Sequence, residues 1–106
     1  MKLFTKAIET KLKKAGYDGN KAICKIFNPY GGQTWIIFGQ DPEYKNRLWC
    51  VADLNMGCVE FGTVLRSELE EIRVKPFNLP LERDLYFNNE NQPISFFTER
   101  DTLRGV

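Results

Sequence analysis

Between residues 23 and 64 the chain alternates short runs of β-branched and aromatic residues with short polar breaks, and this alternation constrains the fold more than any other feature. Residues 23–27, 34–38, 48–52 and 58–64 each have the length and composition of a strand. The breaks are Asn28-Pro29-Tyr30-Gly31-Gly32, the polar stretch 39–46, and Asn55-Met56-Gly57. None is long enough to carry a crossover helix, so successive strands are expected to pair antiparallel as a meander.

Helical signals flank this region. Phe4, Ala7, Ile8, Leu12 and Ala15 fall on one arc at helical spacing, which predicts a helix over 4–15. Thr5 or the residues before it can cap the start, and Gly16 suits the left-handed position that ends it. Lys2, Lys6 and Lys13 lie on the opposite arc, while Lys11 projects near the apolar one and should run its stem along the core edge. Residues 17–22 read as a turn. Further on, Ser67-Glu68-Leu69-Glu70 has the pattern of a capping box and predicts a short helix over 68–73. Pro76 and Pro80 forbid regular helix beyond it. Residues 81–87 suit an edge strand with Leu81, Arg83, Leu85 and Phe87 on one side, 88–93 a loop, and 94–104 a last helix that partly buries Phe96, Phe97 and Leu103. The expected architecture is a single α+β domain over 1–106. Its antiparallel sheet of four or five strands places one face on the core, covered by the N-terminal helix and one or two short C-terminal helices.

Length and charge narrow the function classes. A chain of 106 residues supports one core. Fifteen Lys and Arg against fourteen Asp and Glu give a net charge of +1, which excludes binding driven by bulk positive charge. The distribution is nonetheless polarised. Residues 1–30 hold seven Lys against two acids, and the remainder holds eight basic against twelve acidic residues. No apolar run approaches the ~20 residues of a membrane span. The opening residues lack the apolar segment of a secretory leader, so a cytoplasmic protein without a membrane role is expected.

Histidine is absent, which rules out Ser-His-Asp and Cys-His nucleophilic sets within one chain. The three cysteines, Cys24, Cys50 and Cys58, match no usual zinc-ligand spacing, and an odd count argues against a disulfide framework. Each is flanked by apolar residues, so all three are expected to be small buried hydrophobes. Neither a metal nor a cofactor is expected.

An ordered set of short motifs runs through the chain: Lys25-Ile26-Phe27-Asn28-Pro29, Thr34-Trp35, Asp53-Leu54-Asn55-Met56-Gly57, Glu60-Phe61-Gly62 leading into Ser67-Glu68-Leu69-Glu70, and Leu79-Pro80-Leu81-Glu82-Arg83-Asp84 with Phe87. In this order and over most of the chain, the set resembles the bacterial family filed as domain of unknown function 2958. The resemblance implies an accessory protein of phages, plasmids or other mobile elements. It carries no catalytic residue over to this chain.

Three groups of residues are candidates for function. If 82–84 is extended, Glu82 and Asp84 share a face about 7 Å apart, and paired carboxylates can divide acid and base roles. Alternatively Arg83 forks onto the Glu68, Glu70 and Glu71 cluster and serves structure. Tyr30 and Trp35, beside Gly31-Gly32 and interleaved with Lys25, Lys45 and Arg47, could stand exposed as a stacking platform, or could pack in the core. The Lys2, Lys6 and Lys13 stripe could follow a phosphate backbone, or could be a solvated face. The Asn28-to-Gln33 stretch lacks the phosphate-loop spacing and reads as a hairpin turn. The function expected from this ensemble is non-enzymatic binding of a protein partner, with modulation of a host defence system fitting the implied setting. A nucleic-acid-binding module using the basic half and a small hydrolase using Glu82 and Asp84 are the alternatives.

Overall fold

The computed structural model describes residues 1–16 and 19–106. Residues 17 and 18, with which the expected 17–22 turn begins, lie outside the described residues. In chain order the elements are α1 (Lys6–Ala15), β1 (Cys24–Phe27), β2 (Thr34–Gln40), β3 (Arg47–Asp53), β4 (Val59–Leu65), α2 (Arg66–Glu71), β5 (Arg73–Val74), β6 (Leu79–Pro80), β7 (Glu82–Arg83) and α3 (Ile94–Thr98). The sheet has five strands in the order β4-β3-β2-β1-β7, with every pair antiparallel. β5 and β6 form a separate two-stranded hairpin. The fold is thus the expected single α+β domain, with β7 as a two-residue outer strand on β1.

The meander forms because each connection is closed locally. Asn28 Oδ1 accepts from Tyr30 N, and Asn28 N donates to the Gln33 carbonyl, which turns β1 into β2. Asp53 Oδ1 accepts from Asn55 N, and Asn55 takes a positive φ of 63°, which turns β3 into β4. At the head of α1, Thr5 Oγ1 accepts from Ile8 N at 3.3 Å. Gly16 ends the helix with φ 50°, a region open mainly to glycine. Gly39 admits the end of α1 onto β2: a Cβ there would lie 3.1 Å from Ala15 Cβ and 3.3 Å from Trp49 Cδ1.

Both faces of the sheet are covered, where only one was expected. On one face Trp35, Ile37, Leu48 and Cys50 pack with Phe4 and Leu12 at α1, with Leu69 of α2 and with Leu81. On the other, Ile36, Phe38 and Val51 pack against Phe97 of α3 and against Leu103 and Val106. Every residue of β2 is buried as a result. The run Thr34-Trp35-Ile36-Ile37-Phe38 has no polar alternation, which is the pattern of a strand buried on both sides.

All three helix assignments shift, and the first begins at Lys6, after the Thr5 cap, rather than at residue 4. The second helix begins two residues earlier than expected, with Leu65 as its cap. The Glu68 carboxylate accepts from Leu65 N at 3.4 Å, but Leu65 has no side-chain acceptor to return the bond, so only half of a capping box exists. Ser67 instead exchanges two bonds with the Asn46 amide. The last helix stops at Thr98, and the chain continues irregularly to bury Leu103 and Val106.

Candidate functional site

The structure distributes the sequence candidates unevenly. Arg83 does not meet the α2 acids. Its Nη1 donates to the Lys2 carbonyl at 2.6 Å and the Leu3 carbonyl at 2.7 Å, so it clasps the segment that leads into α1. This corrects the expected fork onto Glu68, Glu70 and Glu71. Asp84 pairs with Lys25 Nζ at 3.4 Å and accepts from Tyr86 N at 2.8 Å. Lys25 Nζ also donates to the Val106 carbonyl at 2.8 Å. Asp84 lines a shallow groove of about 150 Å³ with Cys24, Arg83, Phe87 and Glu90, and Glu82 is not part of its lining. The two carboxylates therefore do not converge in one cleft, which the hydrolase alternative needs.

Trp35 is 8% exposed and belongs to the core, so of the two alternatives core packing holds for it and the exposed platform beside Tyr30 does not. Tyr30 itself is exposed. Lys25 is committed to Asp84 and Val106, and Arg47 pairs with Asp41 at 3.5 Å while lying over the Tyr44 ring. No joint platform forms from these residues. Lys6 and Lys13 are exposed on α1, and Lys2 is exposed in the segment that leads into it. Beside that helix, Lys11, Lys14 and Lys21 rim a groove of about 520 Å³ over a floor that includes Ala15, Ala22, Ile23 and Pro93. Glu90 sits in it, 3.5 Å from Lys11.

The thiols divide by exposure. Cys24 and Cys50 are buried, and burial pushes each up to about 12. Cys58 is exposed, against expectation, because it lies before β4 begins and faces outward. The adjacent Glu60 carboxylate raises its pKa, by charge and by accepting from Sγ at 3.6 Å. Among the described residues, no three Cys, Asp or Glu side chains come together as a metal site. No helix described is long and apolar enough to cross a membrane.

A different surface stands out, which the sequence candidates include only through Tyr30. The tips of the β1–β2 and β3–β4 connections are tied together where Asn55 Nδ2 donates to the Gly31 carbonyl. This places Tyr30 near Leu54 and Met56, all exposed, with Met56 at 79%. Leu54, Met56, Cys58 and Glu60 line one small depression of about 90 Å³ with Ala52. Phe61, 48% exposed, is a further exposed apolar side chain of β4, on the opposite face of the sheet from Glu60. A signal existed in the sequence. Turn tips are ordinarily polar, and Leu54 and Met56 flank Asn55 without a core role.

These features define a small α+β domain with a doubly covered meander sheet and an apolar corner at one end. The chain belongs to the family described as protein of unknown function DUF2958, whose model matches residues 2–105. No curated protein and no solved structure matches it.

Proposed function

We propose that the protein works by binding a protein partner through the corner formed by Tyr30, Leu54 and Met56. The observation that carries this reading is the exposure of large apolar side chains on turn tips that are held in place by hydrogen bonds. Contiguous apolar surface on a folded domain marks contact sites. A patch already fixed before binding loses little entropy on association. In this reading the protein is an accessory factor of a phage, plasmid or other mobile element. Its partner is a host or element-encoded protein, such as a component of a host defence system.

The test is affinity capture by the full chain from nuclease-treated host lysate, wild type beside the double variant Leu54→Asp/Met56→Asp. Both positions are exposed, so the fold should change by no more than about 0.5 kcal/mol. A partner that survives nuclease and binds the variant about tenfold more weakly supports the reading. Capture that disappears with nuclease, or that the variant leaves intact, contradicts it.

A second reading is supported by the N-terminal basic residues: Lys2, Lys6 and Lys13 are exposed, and Lys11, Lys14 and Lys21 rim a groove beside α1. Nucleic acid held there would bind with steep salt dependence. An absence of any mobility shift at low salt removes this reading.

A further inference from the structure

We infer that β4 is the docking edge for an extended segment of the partner, which adds to the sheet as a sixth strand. The inference rests on the partner-binding reading above and names how the partner engages.

The hydrogen bonds around β3 fix which way the β4 backbone points. Arg47 directs its own groups toward β2 and its turn, since its carbonyl accepts from Asp41 N and its N–H donates to Tyr44, both at 2.8 Å. Its cross-strand neighbour Leu65 is therefore left unbonded by β3, and Arg66 N takes the next bond, to the Asn46 carbonyl. Bonded and unbonded pairs alternate along an antiparallel ladder. Glu60, Gly62 and Val64 thus bond to β3, while Val59, Phe61 and Thr63 turn N–H and C=O outward. Among the described residues nothing bonds those outward groups. The β3–β4 register runs unbroken from Arg47↔Leu65 to Asp53↔Val59, so no bulge twists the edge away.

Natural sheets blunt such edges with charged side chains, lysine above all, with proline or with bulges; β4 carries no lysine, proline or bulge, and its one charge is Glu60. The opposite edge is blunted: β7 has two residues.

The side chains state what would fit. Phe61 lies opposite Val51 on the α3 face and offers an apolar cross-strand contact. On the other face Glu60 is the sole charge of the strand, and Gly62 leaves open space, with nothing within 4 Å of a Cβ built there. The segment that fits is extended, with an apolar residue across from Phe61, a Lys or Arg across from Glu60 and a bulky side chain over Gly62. A second copy of this chain fits less well. A two-fold pairing of all three outward residues centres on Phe61 and sets the two Glu60 residues as diagonal neighbours, their backbones about 7 Å apart, with no cation across from either.

The experiment titrates the isotope-labelled full chain with the acetylated, amidated peptide Thr-Val-Phe-Val-Lys-Val-Thr. Its controls are a version N-methylated at alternate amides and a version with Glu for Lys. We expect slowed amide exchange at Val59, Phe61 and Thr63. We expect affinity to fall about tenfold for either control. Thr63→Pro removes an outward N–H only, so it should keep the fold and lose the peptide. Glu60→Lys should reverse the Lys-over-Glu preference, which keeps the test decisive if Thr63→Pro does not fold. Absence of binding at millimolar peptide, binding that Thr63→Pro leaves intact, or a dimer of the free chain through the same amides overturns the inference. Lysate capture lost with Leu54→Asp/Met56→Asp but retained by Thr63→Pro would leave partner binding standing and remove strand addition.

Discussion

Cys58 is the one thiol of three that solvent reaches, and the Glu60 carboxylate beside it disfavours the thiolate. A thiol reagent at neutral pH should therefore titrate one cysteine in the native protein and three after denaturation. Glu60→Gln should speed the native reaction, and two or more fast native thiols would contradict the burial of Cys24 and Cys50. Asp53 offers a pH test. Its carboxylate accepts from Leu103 N at 2.9 Å and Asn55 N at 3.0 Å. The bond from Leu103, with that from Asn55 and the nearby Thr102 and Arg104, holds its pKa below the usual carboxylate range despite burial. Because the folded value lies below the unfolded ~3.9, its stabilisation is complete above that value and is lost as pH falls through the folded one. Asp53→Asn should cost about 1–3 kcal/mol at pH 7 and flatten the acid limb of the stability curve. Chemical denaturation from pH 7 down to 3 measures both. At this scale the residue types were legible in the sequence but their partners were not. Arg83 was read as a structural fork, yet its acceptors are backbone carbonyls about eighty residues away, which no local pattern encodes.

Elements were legible where a local rule decides them. Thr5 and Gly16 bound α1 because capping and positive φ are short-range requirements. The second helix shows the limit of that logic. Ser67 fits a cap by sequence, but the Asn46 amide takes both its groups and the helix starts earlier. β7 was legible as an edge strand, although only two residues pair. Its role is to place Arg83 over the segment before α1, whose Leu3 and Phe4 are core residues. Arg83→Ala should lower stability by about 1–2 kcal/mol, or several degrees in melting temperature, whereas exposed Glu82→Ala should stay within about 0.5 kcal/mol. Thermal denaturation distinguishes them, and equal effects would remove the clasp.

At the scale of the whole molecule, the meander and its antiparallel order follow from strand and turn chemistry alone. Coverage of both sheet faces does not, because it depends on where the irregular C-terminal stretch returns, although the unbroken apolar run of β2 already pointed to it. The apolar corner escaped sequence reading for a related reason: Tyr30 and Leu54 are distant in the chain, and the turns that carry them are joined by the bond between Asn55 and Gly31. The basic face of α1, by contrast, was visible as charge count. These two surfaces make opposite claims about the partner, and amide hydrogen exchange separates them. The full chain is measured alone and then with the material it captures from nuclease-treated host lysate. Binding through the corner predicts protection confined to residues 28–33 and 54–63. Protection over residues 2–14, or none at all on the captured complex, would contradict it.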